Sequence, residues 1–430
     1  MNKPLKILIL SSRKAKHSSN LGTDMMTALQ RSGHYVDFNF EGADEYIDKI
    51  TKPLSRVDLL AYKAKTVIRK VSGKVPVTPQ GYIFSNGFYF FMGDEREKAK
   101  SEDFVLKHVP TGYDIVIVLF MQDMYSVRIL EKLYHKVKCP IFIVSPDMYP
   151  MTGGCYYFND CRNFQNECFN CPAFGGQKDS IAHQNYLLKK RAYTTSDMHF
   201  VGNGWMGKFA ESSMLFRKDK IHLASFVLDE TVFYPKSIES CREELNIPKT
   251  KKVFLMRYSS LPRKGCNIAI NAISALYNSL PQQERDNILL VTVGEKMSTK
   301  PEFDVLELGF VSPDKLISVY NAATAFLCPS VDDAGPSMVN HSIACGTPVV
   351  AFDSGTAQDV ITNGTSGYKA IFGDEEDYGK GVSFIYNLSD DSYLKLRKSS
   401  RETALKWNSM KSFADVIERA YFENRNKTIL

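Results

Sequence analysis

Short apolar runs separated by amphipathic stretches recur along the whole chain. In the N-terminal half LKILIL (5–10), HYVDFNF (34–40), YDIVIVLF (113–120) and CPIFIVSP (139–146) read as strands. TDMMTALQRSG (23–33), closed by its glycine, and VRILEKLYHKV (127–137) space their apolar residues at helical intervals. MHFVGNG (198–204) and IHLASFV (221–227) are expected as the last strands of this half, with the helix WMGKFAESSMLF (205–216) between them. Near-continuous apolar strands are those of a parallel sheet covered on both faces. DETVFYPKS (229–237) then reads as a linker, and the pattern restarts. VFLMRY, ILLVTVG, VLELGF, FLCPS and VVAFD are strands, and NIAINAISALYNSL and PDKLISVYNAATAF are helices. Two further helices, SYLKLRKSSRETALKW and FADVIERAYFE, close the chain. Strand and helix alternating twice over predict two doubly wound α/β domains, residues 1–228 and 229–405, with 406–430 packing back on the first. Such sheets bind ligands beyond the carboxyl ends of their strands, which places the site in the cleft between the domains.

Composition agrees with a globular protein of two cores: 430 residues, 44% hydrophobic, 24% charged, 12% aromatic, with no low-complexity tract or repeat. The longest apolar runs fall short of the roughly 20 residues of a membrane span. LKILIL is followed at once by polar SSRKAK, so it reads as a first strand and not a signal peptide, and the chain is expected in the cytoplasm. Its nine cysteines are then expected to be reduced, and a cluster of them points to metal before disulfide. The net charge of +6 is uneven, because residues 46–74 hold eight Lys/Arg against two Asp, with Leu60, Val67, Ile68 and Val71 at roughly helical spacing. That stretch suits an anionic membrane surface at the inner leaflet or a lipid-linked ligand; a solvated helical face fits it equally. Nucleic acid is disfavoured as a partner, since few stacking aromatics lie among these basic residues.

The densest chemistry lies in VDDAGPSMVNHSIACG (331–346), directly after a strand. Pro336 is tolerated near a helix start and Ser337 can cap one of its amides; the remaining amides and the helix dipole suit a diphosphate. An acid there would repel phosphate, so Asp333 is expected to face neutral hydroxyls such as a sugar ring. Together these suggest a nucleotide-sugar. Plain N-terminal helix acids are the alternative for Asp332 and Asp333. Upstream, RYSSLPRKGC (257–266) brings Arg257, Arg263 and Lys264 to another helix start, where cations disfavour the helix and fit a ligand better.

DDAGPSMVNHSIACGTPVVAFDSGTAQDVI (332–361) resembles the donor signature of family 4 glycosyltransferases, and RYSSLPRKGC resembles their R…KG segment. ELGFVSPDKLISVYNAATAFLCPS and TNGTSGY add to the likeness, which covers roughly 220–410 well and 110–215 moderately. The resemblance implies the GT-B fold: two Rossmann-like domains facing across a cleft, with C-terminal helices crossing back. It implies a nucleoside diphosphate sugar as donor and no catalytic divalent metal. It places Asp333 at the donor sugar and His341 at the ribose, where the family usually has Glu. Lys264, with Arg257 or Arg263, falls at the diphosphate, and the backbone of Gly335, Pro336, Ser337 and Met338 around it. The loop SSRKAKHSSNLGTD (11–24), with Gly22 and His17, would lie over the cleft. It is not G-x-G-x-x-G, so a nicotinamide dinucleotide is not indicated.

IFIVSPDMYPMTGGCYYFNDCRNFQNECFNCP (141–172) resembles a subgroup found among enzymes of bacterial surface-polysaccharide (capsule and exopolysaccharide) assembly. There a His-Asp pair precedes Thr-Gly-Gly-Cys, the His near the reacting sugar; this chain has Pro146 and keeps only Asp147. Asp147, Asp333 and Lys264 are therefore the catalytic candidates. The same segment sets Cys155, Cys161, Cys168 and Cys171 at C-x5-C-x6-C-x2-C, which suits a structural Zn²⁺; ordinary reduced thiols or a redox pair at ECFNCP are the alternatives. The implied activity moves a sugar to a glycan or lipid-linked acceptor with retention of configuration. Pro146 and His341 motivate the alternative of a GT-B scaffold that binds nucleotide without turnover, and an epimerase or hydrolase sharing the fold is a third reading.

Overall fold

The computed structural model describes residues 3–11, 21–40, 82–83, 88–90, 106–107, 109–121 and 125–428. The basic stretch 46–74 and loop positions 12–20, with His17, lie outside the described residues. The strands are β1 (Lys6–Ser11), β2 (Tyr35–Phe40), β3 (Tyr82–Ile83), β4 (Tyr89–Phe90), β5 (Ile115–Leu119), β6 (Ile141–Val144), β7 (Cys155–Tyr157), β8 (Met198–Gly202) and β9 (Ile221–Leu223), then β10 (Lys252–Tyr258), β11 (Ile288–Gly294), β12 (Asp304–Glu307), β13 (Ala325–Cys328), β14 (Val349–Phe352) and β15 (Gly367–Ala370).

These strands build two parallel sheets, ordered β2-β1-β5-β6-β8-β9 and β12-β11-β10-β13-β14-β15. Each is buried on both faces, which explains the unbroken apolar runs: every residue of β5, β6, β8, β11, β13 and β14 is buried. Helices cover the faces. Val127–Val137 starts where Ser126 accepts the Ile129 N–H at 3.3 Å and stops at Lys138 in the left-handed conformation. The last helix, Met410–Thr428, lays Met410, Phe413, Ile417 and Tyr421 against Ile7, Met25 and Leu29 of the first domain. A small antiparallel sheet, β3-β4-β7, forms beside the N-terminal sheet and carries the cysteine-rich segment.

In both sheets the strand order turns back at the first strand of the unit. In the C-terminal sheet this switch lies between β10 and β13, so the loops leaving their carboxyl ends open into one crevice.

Candidate functional site

β10 carries Arg257 just before its end, the loop after it enters a one-turn helix, Pro262–Lys264, and the loop after β13 runs from Pro329 to Asp333. The two can touch because residue 265 is glycine: its φ is +61°, and a Cβ there would lie 2.1 Å from the Pro329 carbonyl oxygen. The Val331 N–H donates to the Arg263 carbonyl at 2.9 Å and holds the loops together. This contact brings opposite charges together. Lys264 Nζ pairs with Asp333 Oδ2, and Arg263 Nη1 lies 3.5 Å from the same oxygen and donates to the Asp332 carbonyl at 3.2 Å. Only 14% of the Lys264 side chain and 12% of Asp333 are exposed, so the attraction is little screened. Burial pushes the Asp333 carboxyl up, but Lys264, Arg263 and the Gly335 N–H, 3.3 Å from Oδ1, outweigh it and hold the group below the usual carboxylate range.

The helix Ser337–Ala344 follows. Pro336, not Ser337, takes the N-cap position, so the expected serine cap does not form. Ser337 is instead exposed at the first helical position, and no side chain caps the amides at the start of the helix. A helix start without a cap in a crevice that also holds Lys264 and Arg263 can receive a diphosphate. Gly335, at φ +147°, lets the first domain approach: a Cβ would meet Asn203 Nδ2 at 2.9 Å. Asn203 donates from that nitrogen to the Ala334 carbonyl at 2.8 Å, while its Oδ1 accepts the Met206 N–H at 2.8 Å and caps the helix Gly204–Ser212. The Gly204 N–H crosses in the same direction, to Asp359 Oδ2 at 2.6 Å.

His341 lies one turn into the helix but does not face an open crevice. Its ring is stacked on Phe233, centroids 4.1 Å apart and planes 1° from parallel, with Tyr320 edge-on at 6.1 Å. The residue is 5% exposed, Nδ1 has no hydrogen-bond partner, and burial pulls its pKa down to about 3, so the ring is neutral. Arg257 is exposed at the end of β10. Gly22 lies inside the helix Leu21–Arg31, not before it, and packs on Phe38, so close that a Cβ would fall 2.4 Å from the ring. Asp147 follows β6, is 4% exposed, and accepts the Tyr149 N–H at 3.0 Å.

Two groups absent from the sequence reading complete the crevice. Tyr157, ending β7, places its ring under the Arg263 guanidinium at 3.9 Å. Burial first, then the charge of Asp333, raises the pKa of its phenol, with Asp147 and Asp332 adding to the effect and Arg263 opposing it. The phenol thus stands among Asp333, Arg263, Asp147 and Asp332. The Asn159 N–H donates to Asp332 Oδ2 at 3.1 Å, and burial pushes Asp332 up to about 6 against that hydrogen bond and Arg263. CYYFND carries no pattern that marks a tyrosine or a loop amide for a role; only the pairing of β7 with β4 aims them across the cleft.

The four cysteines of the same segment are free thiols that line one cavity. As placed, they do not form the tetrahedral zinc site expected: among the described residues no three His, Cys, Asp or Glu side chains stand close enough to hold one ion. Among the described residues no helix is long and apolar enough to cross a membrane.

Comparison with known proteins bears on the same crevice. Residues 237–407 match the family described as Glycosyl transferases group 1. This range contains β10, β13, Lys264, Asp333 and the helix that follows. The chain is 30% identical over 164 residues to a D-inositol 3-phosphate glycosyltransferase of Acidothermus cellulolyticus, covering 35% of this chain and 36% of that one. It is 28% identical over 204 residues to the protein of that name from Corynebacterium jeikeium, covering 44% and 47%. The chain thus spans between a third and a half of the length of these curated relatives. Over the whole fold it resembles sucrose-phosphate synthase from Thermosynechococcus elongatus, with a TM-score of 0.62 at 15% identity and 98% and 100% coverage. Anabaena Alr3699/HepE in complex with UDP gives 0.61 at 12% identity and 97% and 100% coverage. The fold is the GT-B arrangement of two Rossmann-like domains.

Proposed function

We propose that the protein is a glycosyltransferase that moves a sugar from a nucleoside diphosphate donor to a glycan or lipid-linked acceptor of surface-polysaccharide synthesis. The observation that carries the reading is the pairing of Lys264 and Arg263 with Asp333 at the switch point of the sheet that matches the group 1 family. Without donor, the acid and the cations satisfy each other. An entering diphosphate carries more charge than one carboxylate and also takes the amides around Gly335–Met338. It draws Lys264 and Arg263 to itself and releases Asp333 to accept from the sugar hydroxyls. Cations held beside the leaving diphosphate stabilise the charge that develops there in the transition state. Asp147 and Tyr157 approach from the first domain, on the acceptor side. The likeness to family 4 enzymes implies retention, the leaving diphosphate accepting the acceptor's proton. UDP in the complex of a similarly folded protein is in keeping with such a donor. The relatives bear the name D-inositol 3-phosphate glycosyltransferase, which makes inositol phosphates the second acceptor class to try. The basic stretch 46–74 would hold the protein at the inner face of the membrane.

The scaffold reading draws on Pro146, which offers no side-chain donor or acceptor, and on His341, whose ring packs against Phe233 and not toward a ribose. One experiment separates the two. The protein is incubated with labelled nucleotide-sugars and a membrane lipid extract, or with inositol phosphate. Label transferred by the wild type and lost in Lys264→Ala and Asp333→Ala supports the transferase. Tight nucleotide binding with no transfer to any acceptor supports the scaffold.

A further inference from the structure

Cys155, Cys161, Cys168 and Cys171 come from 17 consecutive positions, yet all four line a single small cavity, walled otherwise mainly by apolar groups such as Phe158 and Phe164. Backbone amides point at the sulfurs. The Asn163 N–H donates to Cys161 Sγ at 3.4 Å, and the Gly153 N–H to Cys168 Sγ at 3.1 Å. The Ala173 and Phe174 amides donate to Cys171. Amides two residues beyond Cys161 and Cys171 serve their sulfurs in the same way. A neutral thiol is a weak acceptor, whereas a metal-bound thiolate is stabilised by such N–H groups. A buried cation completes the picture: Lys189 is 0% exposed and donates to the carbonyls of Tyr149 and Thr152, at 2.6 and 2.9 Å, at the edge of this segment. Four thiolates around a divalent ion carry net negative charge, and a buried ammonium nearby offsets the cost of burying it.

We propose that this cavity is the site of a thiolate-bound metal centre, either zinc or an iron–sulfur cluster. The sulfurs surround a space and do not meet at a point, since no three of them could share one ion as placed. Either centre therefore needs the loop to rearrange around it on binding, and the thiols release their protons as they bind. In either case the centre ties down the segment 155–171. That segment contains Tyr157 and Asn159, which reach Arg263 and Asp332. This consequence for the donor site rests on the function proposed above; the presence of the metal does not.

The test is the metal content of the full chain, purified anaerobically without chelator. The expected result is about one centre per chain, either zinc with no visible absorbance or iron with matching acid-labile sulfide and a brown colour. Cys161→Ser and Cys171→Ser should lose it at least tenfold, while Cys139→Ser, at a buried position outside the cavity, keeps it. The proposal is overturned if the wild type holds neither metal and retains neither Zn²⁺ nor iron and sulfide after incubation and desalting. Metal content unchanged in both cavity variants would overturn it equally. Because the wild-type count decides, a variant that fails to fold does not rescue the proposal.

Discussion

At the scale of single residues, the site is a set of charges held in unusual states by burial, and pH exposes them. His341 has a folded pKa of about 3 against the ordinary 6.5. As pH falls below 6.5 the unfolded chain takes the proton first, so the imidazole costs about 1.4 kcal/mol of stability per pH unit between 6.5 and 3. His341→Phe keeps the stack on Phe233 and removes the titration. Urea midpoints measured from pH 7 to pH 4 should fall less steeply in this variant. Asp332 has the opposite sign. Its folded pKa of about 6 lies above the ordinary 3.8, so its contribution is fully present below pH 4 and is lost as pH rises through 6. Asp332→Asn keeps an acceptor for the Asn159 N–H and should gain about 1–3 kcal/mol at pH 7, the gain vanishing near pH 4. For chemistry, Lys264→Ala is expected to lower kcat/KM about 10²–10³-fold, the effect of removing one charge from a developing anion. The sequence showed the acids and cations but not their partners. His341 was legible as a polar residue at the ribose position, and nothing in the local sequence says that Phe233, over a hundred positions earlier, covers its ring.

At the scale of elements, periodicity was legible wherever it was strong and capped. Val127–Val137 appears with the bounds its pattern predicts, and β11 matches ILLVTVG residue for residue. Other elements were not legible. Ile181–Thr195 is a long helix whose apolar and polar residues are weakly segregated, because Asn185 and Lys189 are among its buried positions. β15, GYKA, is a short edge strand with no apolar run. PDKLISVYNAATAF and FLCPS were legible as helix and strand and only their boundary differs, the helix stopping at Ala322 and β13 taking Ala325–Cys328. What the pattern cannot show at all is two loops closing on each other, and here Gly265 is the enabling residue. Gly265→Ala has to adopt φ +61° and displace the Pro329 carbonyl. It should cost about 1–3 kcal/mol and separate Lys264 from Asp333, seen as a lower melting temperature together with a higher KM for donor.

At the scale of the whole molecule, the two domains are linked on both sides of the cleft. Asn203, Gly204 and Asn159 reach from the first domain to Ala334, Asp359 and Asp332 of the second, and the helix Met410–Thr428 returns from the second to the first. That helix buries Met410, Phe413, Ile417 and Tyr421, each worth about 1.5–3 kcal/mol, a sum comparable with the whole stability of a domain. A chain ending at Trp407 is expected to leave the first domain unfolded while residues 237–407 stay protected, which limited proteolysis would show. The central claim is that the crevice between β10 and β13 binds a nucleoside diphosphate. The measurement that tests it most directly is thermal unfolding of the wild type and Lys264→Ala with UDP, GDP, ADP or CDP. At about 100 times Kd a bound nucleotide adds about 2.7 kcal/mol, a shift of several degrees. The account predicts such a shift with at least one nucleotide in the wild type and little or none in Lys264→Ala. No shift with any of the four, or an equal shift in both proteins, would contradict it.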